Sequence, residues 1–219
     1  MKLLQITVLS LLCGAVFFGC KGTQARLMHN NELDKVGSNR AGAEVYNPIV
    51  RSTTKKLLAE ASRESIQQVA HHTGFPAKRR VCFITLENKS REELGDFKDH
   101  IETAIREEIS SSEQFEIVSD RAVTAGLKAL GLRPDDLFMP ENMRIFASIM
   151  GRDGTPVDYL LFGVITSGTT EDNRDMQRDY KLSLELVSTQ TFTPLIVSTP
   201  MRKEYNNSVK GKIGNWFKK

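Results

Sequence analysis

Residues 77–93 read AKRRVCFITLENKSREE. Between the basic start and the polar end lies Val81–Leu86, a continuous apolar run of strand length with β-branched and aromatic residues. A half-buried strand alternates apolar and polar positions. A run that is apolar at every position is buried on both faces, which places it inside a sheet with covering layers.

The flanking sequence supplies those layers. Upstream, Asn47-Pro48 reads as a helix start, Asn as the cap and Pro in the first turn. Val50, Leu57, Leu58, Ala61, Val69 and Ala70 then form one stripe towards Thr73, and Gly74 ends the helix. Downstream, Leu94, Phe97, Ile101, Ala104, Ile105 and Ile109 recur at spacings of three and four until SSSEQ breaks the pattern. Phe115–Val118 reads as a short strand, and Asp120 as the cap of a helix running to Leu130 and ended by Gly131. A loop then leads to a helix over Glu141–Met150 with Ile145, Phe146, Ile149 and Met150 facing inward. VDYLLFGVITSG, residues 157–168, is the longest strand, and TTEDNRDMQRD a polar hairpin connection. Tyr180, Leu182, Leu184 and Leu186 alternate with polar residues, the pattern of a half-buried strand. Pro194–Ser198 closes the series, its proline marking an edge or a strand beginning. The order α-β-α-β-α-α-β-β-β predicts an α/β fold, a mixed sheet of about 4–5 strands flanked by about four helices.

The chain opens MKLLQITVLSLLCGAVFFGCKGTQ. Leu3–Phe18 has 16 positions, short of the roughly 20 a spanning helix needs. A basic start, a short apolar core and Gly19-Cys20 describe a bacterial lipoprotein signal over 1–19, with diacylglyceryl transfer to the Cys20 thiol and cleavage before it. Phe17 and Phe18 depart from the usual leucine and small residue at those positions. Lys21, where an aspartate would favour inner-membrane retention, leans to the outer membrane and a domain facing the periplasm. Residues 20–46 have few large apolar side chains and read as the lipidated cysteine with a flexible tether. Its last 26 residues reach roughly 90 Å fully extended. The globular domain is then 47–205, followed by a basic aromatic tail, 206–219, carrying Lys210, Lys212, Trp216, Phe217, Lys218 and Lys219.

The net charge of +3 is too small to argue for nucleic acid. After export only Cys20 and Cys82 remain of the three cysteines, so no disulfide framework supports the fold. Cys82 with His71, His72 or His100 suggests thiol chemistry, but its place between Val81 and Phe83 reads as a buried, inert thiol. His71-His72 point about 100° apart on a helix and complete no metal-ligand spacing. Glu92-Glu93 and Glu107-Glu108 read as the solvated side of a helix. No nucleophile or paired acid–base constellation emerges, so the chain reads as no enzyme and needs no cofactor beyond the covalent lipid on Cys20.

Four stretches carry a family resemblance: RVCFITLENKS, FEIVSDRAVTAGLKALGLRPDDLF, VDYLLFGVITSG and LELVSTQTFTPLIVS. They resemble the LpoB family, outer-membrane lipoproteins that activate a bifunctional penicillin-binding protein, a peptidoglycan synthase. The resemblance covers roughly residues 47–205 and implies a fold similar to the N-terminal domain of TolB. The tether departs from the family's long Pro-rich segment, having no proline before Pro48, and the basic tail is also outside the pattern. The resemblance implies a non-catalytic monomer that binds its synthase through one face. Loops on a rigid scaffold commonly supply such a face. The candidates are Asn88, Lys89, Ser90 and Arg91 after the first strand, Tyr159 and Phe162 on the long strand, and the hairpin 169–174. An alternative is a structural or assembly lipoprotein of the outer membrane with a different periplasmic partner.

Overall fold

The computed structural model describes residues 40–69, 78–151, 156–172 and 175–206. The signal segment, Cys20, His71, His72, the hairpin tip at 173–174 and the tail 207–219 lie outside the described residues. Among the described residues, four α-helices and five strands follow the expected order: α1 (Ala43–Val69), β1 (Arg79–Lys89), α2 (Phe97–Ser110), β2 (Phe115–Ile117), α3 (Asp120–Leu130), α4 (Pro140–Met150), β3 (Tyr159–Asp172), β4 (Asp175–Ser188) and β5 (Pro194–Asn206). One 3-10 turn, Pro134–Phe138, precedes α4.

The sheet order is β2-β1-β3-β4-β5. β1 runs parallel to β2 and β3, and the β3–β4 and β4–β5 pairs are antiparallel. The fold is thus mixed α/β, and the apolar run 81–86 lies in an interior strand. Val81 and Phe83 pack with Ile49 and Leu57 of α1 and Ile101, Ile105 and Ile109 of α2. Cys82 and Ile84 pack on the other face with Val123 of α3, Phe146 of α4, Leu160 and Phe162.

A register shift between Phe83 and Thr85 inserts Ile84 as an extra residue opposite β3. Such a bulge reverses which residues face which side. Leu86 therefore joins the α1–α2 core, and Gly163 opposite makes room for it. A Cβ at Gly163 would stand 2.7 Å from Leu86 Cδ1 and 3.3 Å from Leu184 Cδ2.

Several boundaries differ from the sequence reading. α1 begins at Ala43, not Asn47, so residues 43–46 are helix rather than tether. The Gly42 carbonyl accepts from Val45 N and Tyr46 N, each at 3.0 Å. Pro48 consequently lies inside the helix, where it removes the bond to the Glu44 carbonyl. Burial of Val45 and Tyr46 offsets that loss, the Tyr46 ring packing 5.8 Å from Phe97 and 6.2 Å from Tyr180. α3 is capped by Ser119, whose side chain accepts from Ala122 N, not by Asp120. Gly131 (φ 65°) ends it in a Schellman turn, with Leu132 N donating to Leu127 O at 3.0 Å.

On α4 Met143, Phe146 and the half-buried Met150 face inward, while Ile145 is 50% exposed. Gly126 of α3 sets this rotation, since a Cβ there would meet Met150 Sδ at 2.7 Å and Phe146 Cε2 at 3.1 Å. The expected hairpin connection is mostly strand, because Thr169↔Arg178 through Asp172↔Asp175 continue the β3–β4 ladder. β5 likewise runs on to Asn206 rather than ending at Ser198.

Thr53 and Thr54 on α1 are both fully buried. Thr53 Oγ1 donates to Ile49 O at 2.7 Å, whereas Thr54 Oγ1 has no partner. Thr54→Val keeps the shape and removes an unpaired buried hydroxyl. It is expected to raise stability by about 1 kcal/mol, read as a higher urea midpoint. A lower midpoint would show that this hydroxyl is bonded in solution.

Candidate partner-binding surface

At the end of the sheet where β1 and β3 finish, the chain turns through Asn88–Glu92. Asn88 Oδ1 accepts from Ser90 N at 3.0 Å and Ser90 Oγ at 2.7 Å, and Asn88 Nδ2 donates to Glu92 O at 2.7 Å. This is an Asx-type turn, which the Asn-x-Ser sequence favours. Arg91 N donates to Ser167 Oγ of β3 at 3.1 Å, so the turn is also tied to the long strand. Asn88 and Lys89 are the last residues of β1 rather than loop residues. Lys89 pairs with Glu87 at 3.0 Å. Arg91 is exposed.

Glu92 fixes this end of the domain. Its side chain is 8% exposed. Oε1 accepts from the Arg178 guanidinium and from Tyr180 OH (2.9 Å), and Oε2 accepts from Ala41 N (2.8 Å). Beside it, Lys203 Nζ donates to Glu44 Oε1 at 2.6 Å and to Arg40 O at 2.9 Å. Tyr205 stacks under both cations, 5.9 Å from Arg178 and 5.1 Å from Lys203. Two buried ion pairs thus join the start of α1, the Asn88–Arg91 turn and the far ends of β4 and β5. Burial, then the Glu92 charge, raises the Tyr46 phenol above its ordinary range. Burial, then its hydrogen bonds to Tyr205 and Glu92, does the same for Tyr180. Both stay neutral beside the carboxylate.

The sequence reading missed this cluster. By sequence Glu92 reads as part of the solvated side of a helix, but α2 starts only at Phe97. Its partner Arg178 is 86 residues away, and Lys203 is 159 residues from Glu44. No local spacing signals such pairs.

The other candidates lie elsewhere. Tyr159 begins β3, at the opposite end from Asn88–Arg91, with its hydroxyl accepting from Arg79 Nη1 at 2.5 Å. Its ring packs 6.3 Å from Phe115. Phe162 faces the α3–α4 side and is 3% exposed, its ring 5.0 Å from Phe138. The six candidates therefore form no single patch. Thr169–Asp172 belong to β3, and the hairpin tip is outside the described residues.

α3 and α4 cover only the first part of β3. Beyond Phe162, one face of the sheet carries Val164, Thr166, Gly168 and Thr170 on β3, with Ser183, Lys181, Asp179 and Gln177 opposite on β4. Ser198, Pro200, Arg202 and Glu204 continue it on β5. A shallow depression of about 420 Å³ lies here over Thr166, Gly168, Lys181, Pro200 and Arg202. Arg202 Nε bonds Asp179 Oδ1 at 2.8 Å and holds that carboxyl below its usual range.

Cys82 is fully buried, and desolvation pushes its thiol up to about 12. A thiol in that state is no nucleophile at neutral pH. His100 sits on α2, over the other core, with Nε2 3.2 Å from Asn47 Oδ1. Among the described residues, no group of three His, Cys, Asp or Glu could hold a metal ion. Nor is any described helix long and apolar enough to cross a membrane.

A family model described as peptidoglycan-synthase activator LpoB matches residues 47–193. No curated protein matches the chain. Among solved structures, the LpoB C-terminal domain from Salmonella enterica is similar at 15% identity and a TM-score of 0.46, covering 74% of this chain and 98% of that one. The LpoB C-terminal domain from Escherichia coli gives 16% and 0.44, with 70% and 97% covered. Lipoprotein GNA1162 from Neisseria meningitidis gives 21% and 0.42, with 64% and 92% covered. With the family model spanning α1 to the β4–β5 turn, the chain belongs to the LpoB family of peptidoglycan-synthase activators.

Proposed function

We propose that this chain is a non-catalytic envelope lipoprotein, held to the outer membrane by acyl chains on Cys20, whose domain docks on a bifunctional penicillin-binding protein and raises its activity. The observation that carries the reading is the family match over residues 47–193. The docking surface includes the Asn88–Arg91 turn. Its backbone is fixed before the partner arrives by Glu92 and Ser167, so little ordering cost falls on binding. Stimulation follows if the domain binds the synthase's active conformation more tightly than its inactive one. A tenfold shift of that equilibrium needs a differential affinity of about 1.4 kcal/mol.

The test begins with capture from detergent-solubilised envelope on the full chain, with bound proteins identified by mass spectrometry. A bifunctional penicillin-binding protein is expected among the specific partners. Purified, it should polymerise glycan faster with the chain than without. Arg91→Glu is expected to cut that stimulation several-fold with an unchanged melting temperature, since the Arg91 side chain is exposed. Reproducible absence of any such synthase, with another envelope protein retained, would move the function to an assembly lipoprotein. The short, proline-free stretch before Pro48 is the feature that favours this second reading.

A further inference from the structure

β5 is the outermost strand, and its register fixes which backbone groups face away from the sheet. Ser188 N donates to Thr193 O at 3.2 Å. The β4–β5 ladder continues that count without a shift from Val187↔Pro194 to Asp175↔Asn206. In an antiparallel pair, opposed residues alternate between exchanging both backbone bonds and exchanging none. Leu195, Val197, Thr199 and Met201 therefore bond β4, while Pro194, Ile196, Ser198, Pro200, Arg202 and Glu204 turn their backbone groups outward. Both prolines fall in the outward set, where the ring costs no ladder bond. The Ser198 and Ser183 hydroxyls meet at 2.8 Å, the close side-chain approach expected of a non-bonded pair. Among the described residues no strand lies beyond β5, and the Ile196 and Ser198 N–H groups meet no acceptor.

The free stretch is short and symmetric. Pro194 and Pro200 each stand three residues from Val197, and between them only Ile196 and Ser198 carry outward N–H groups. Ile196 is 60% exposed.

We propose that β5 pairs antiparallel with β5 of a second copy of this chain about a twofold axis at Val197. Ile196 then stands opposite the partner's Ser198, and Pro194 opposite the partner's Pro200. In this register every N–H between the prolines meets a carbonyl of the other copy, and no proline enters the ladder. Moving the axis one or two residues either way sets a proline opposite Ile196 or Ser198, where a carbonyl loses its donor. The same register brings the two Ile196 side chains diagonally together on one face, within reach of each other. The charged side chains of Arg202 and Glu204, past Pro200, discourage pairing further along. So short a ladder is small beside the roughly 1,000 Å² of a stable interface. The association is accordingly weak and concentration-dependent.

Analytical ultracentrifugation of the full chain in detergent tests this without any synthase present, so its outcome is separate from that of the proposed activation. The wild type should move from one copy towards two as concentration rises through the micromolar range and beyond. Ser198→Pro should stay at one copy and keep its melting temperature, because the lost N–H bonds nothing in the sheet. Ile196→Lys, which leaves the backbone intact, should also stay at one copy. Val197→Pro breaks the ladder to β4 and should lower the melting temperature sharply. A wild type that remains single at every concentration overturns the pairing, as does a Ser198→Pro chain that dimerises equally well. Unfolding of Ser198→Pro would overturn the register. A single-copy wild type whose synthase capture is lost in Ser198→Pro would instead assign this edge to a strand of the synthase.

Discussion

Replacing Glu92 with alanine is expected to cost about 3–5 kcal/mol of stability, the range for breaking a buried ion pair from one side. The Glu92 side chain is 8% exposed and that of Arg178 16%, so neither charge has bulk water to fall back on. Removing the carboxylate takes the buried counter-charge from the guanidinium, leaves the Tyr180 hydroxyl only its contact with Tyr205 OH, and removes the acceptor of Ala41 N. Glu92→Gln keeps the size and part of the hydrogen bonding but not the charge, and should lie between wild type and alanine. Urea denaturation gives the magnitude. Hydrogen exchange gives the location: faster exchange is expected at 41–46 and at 88–92 together, because one carboxylate holds both segments. A loss below 1 kcal/mol would mean that the pair is screened like a surface salt bridge. Faster exchange at 88–92 alone would mean that α1 is held without Glu92.

The layered α/β fold was legible in the sequence because the apolar periods are strong. The doubly apolar run at Val81–Leu86 required an interior strand, and the alternation at Tyr180–Leu186 required a strand buried on one side, as both are. Errors arose where a local signal competed with a distant contact. Asn47-Pro48 is a good helix start by local rules, but Tyr46 has Phe97 and Tyr180 to pack against, and the helix extends to reach them. Ile145 fits the inner stripe of α4 as well as Met143 does, until Gly126 on another helix decides the rotation. The candidate surface was less legible. Asn88–Arg91 reads from sequence as a loop after the first strand, although Asn88 and Lys89 still belong to it, and the Ile84 bulge that reverses the facing of β1 leaves no mark in composition. Glu92 resembles its neighbour Glu93 in sequence, yet one is half of a buried ion pair and the other is exposed. Only pairing across the whole chain distinguishes them.

Raising the pH above 9 is expected to unfold the domain progressively, and the buried protons explain the direction. Tyr46, Tyr180 and Cys82 all have folded pKa values raised above their ordinary values of 10.0, 10.0 and 9.0. Above those values the unfolded chain has lost protons that the folded chain retains, so stability falls as pH rises. Their contribution is complete at neutral pH and is lost from about 9 upward for Cys82, whose folded thiol titrates near 12. The two phenols begin to act one unit higher. Each group removes about 1.4 kcal/mol per pH unit while it is protonated only in the folded state. The losses add, so the fall in stability steepens once the phenols join the thiol. Denaturation midpoints measured between pH 8 and 12 check this, and Tyr46→Phe separates one contribution. Its hydroxyl is buried without a partner, so the variant should match or exceed wild type at neutral pH. Above pH 10 its stability should fall less steeply, by about 1.4 kcal/mol per unit. Phenolate absorbance should appear only as the chain unfolds for the buried pair. Identical alkaline slopes for wild type and Tyr46→Phe would mean that Tyr46 titrates freely in the folded state, and that the hydroxyl reaches water which its packing against Phe97 and Tyr180 is here held to exclude.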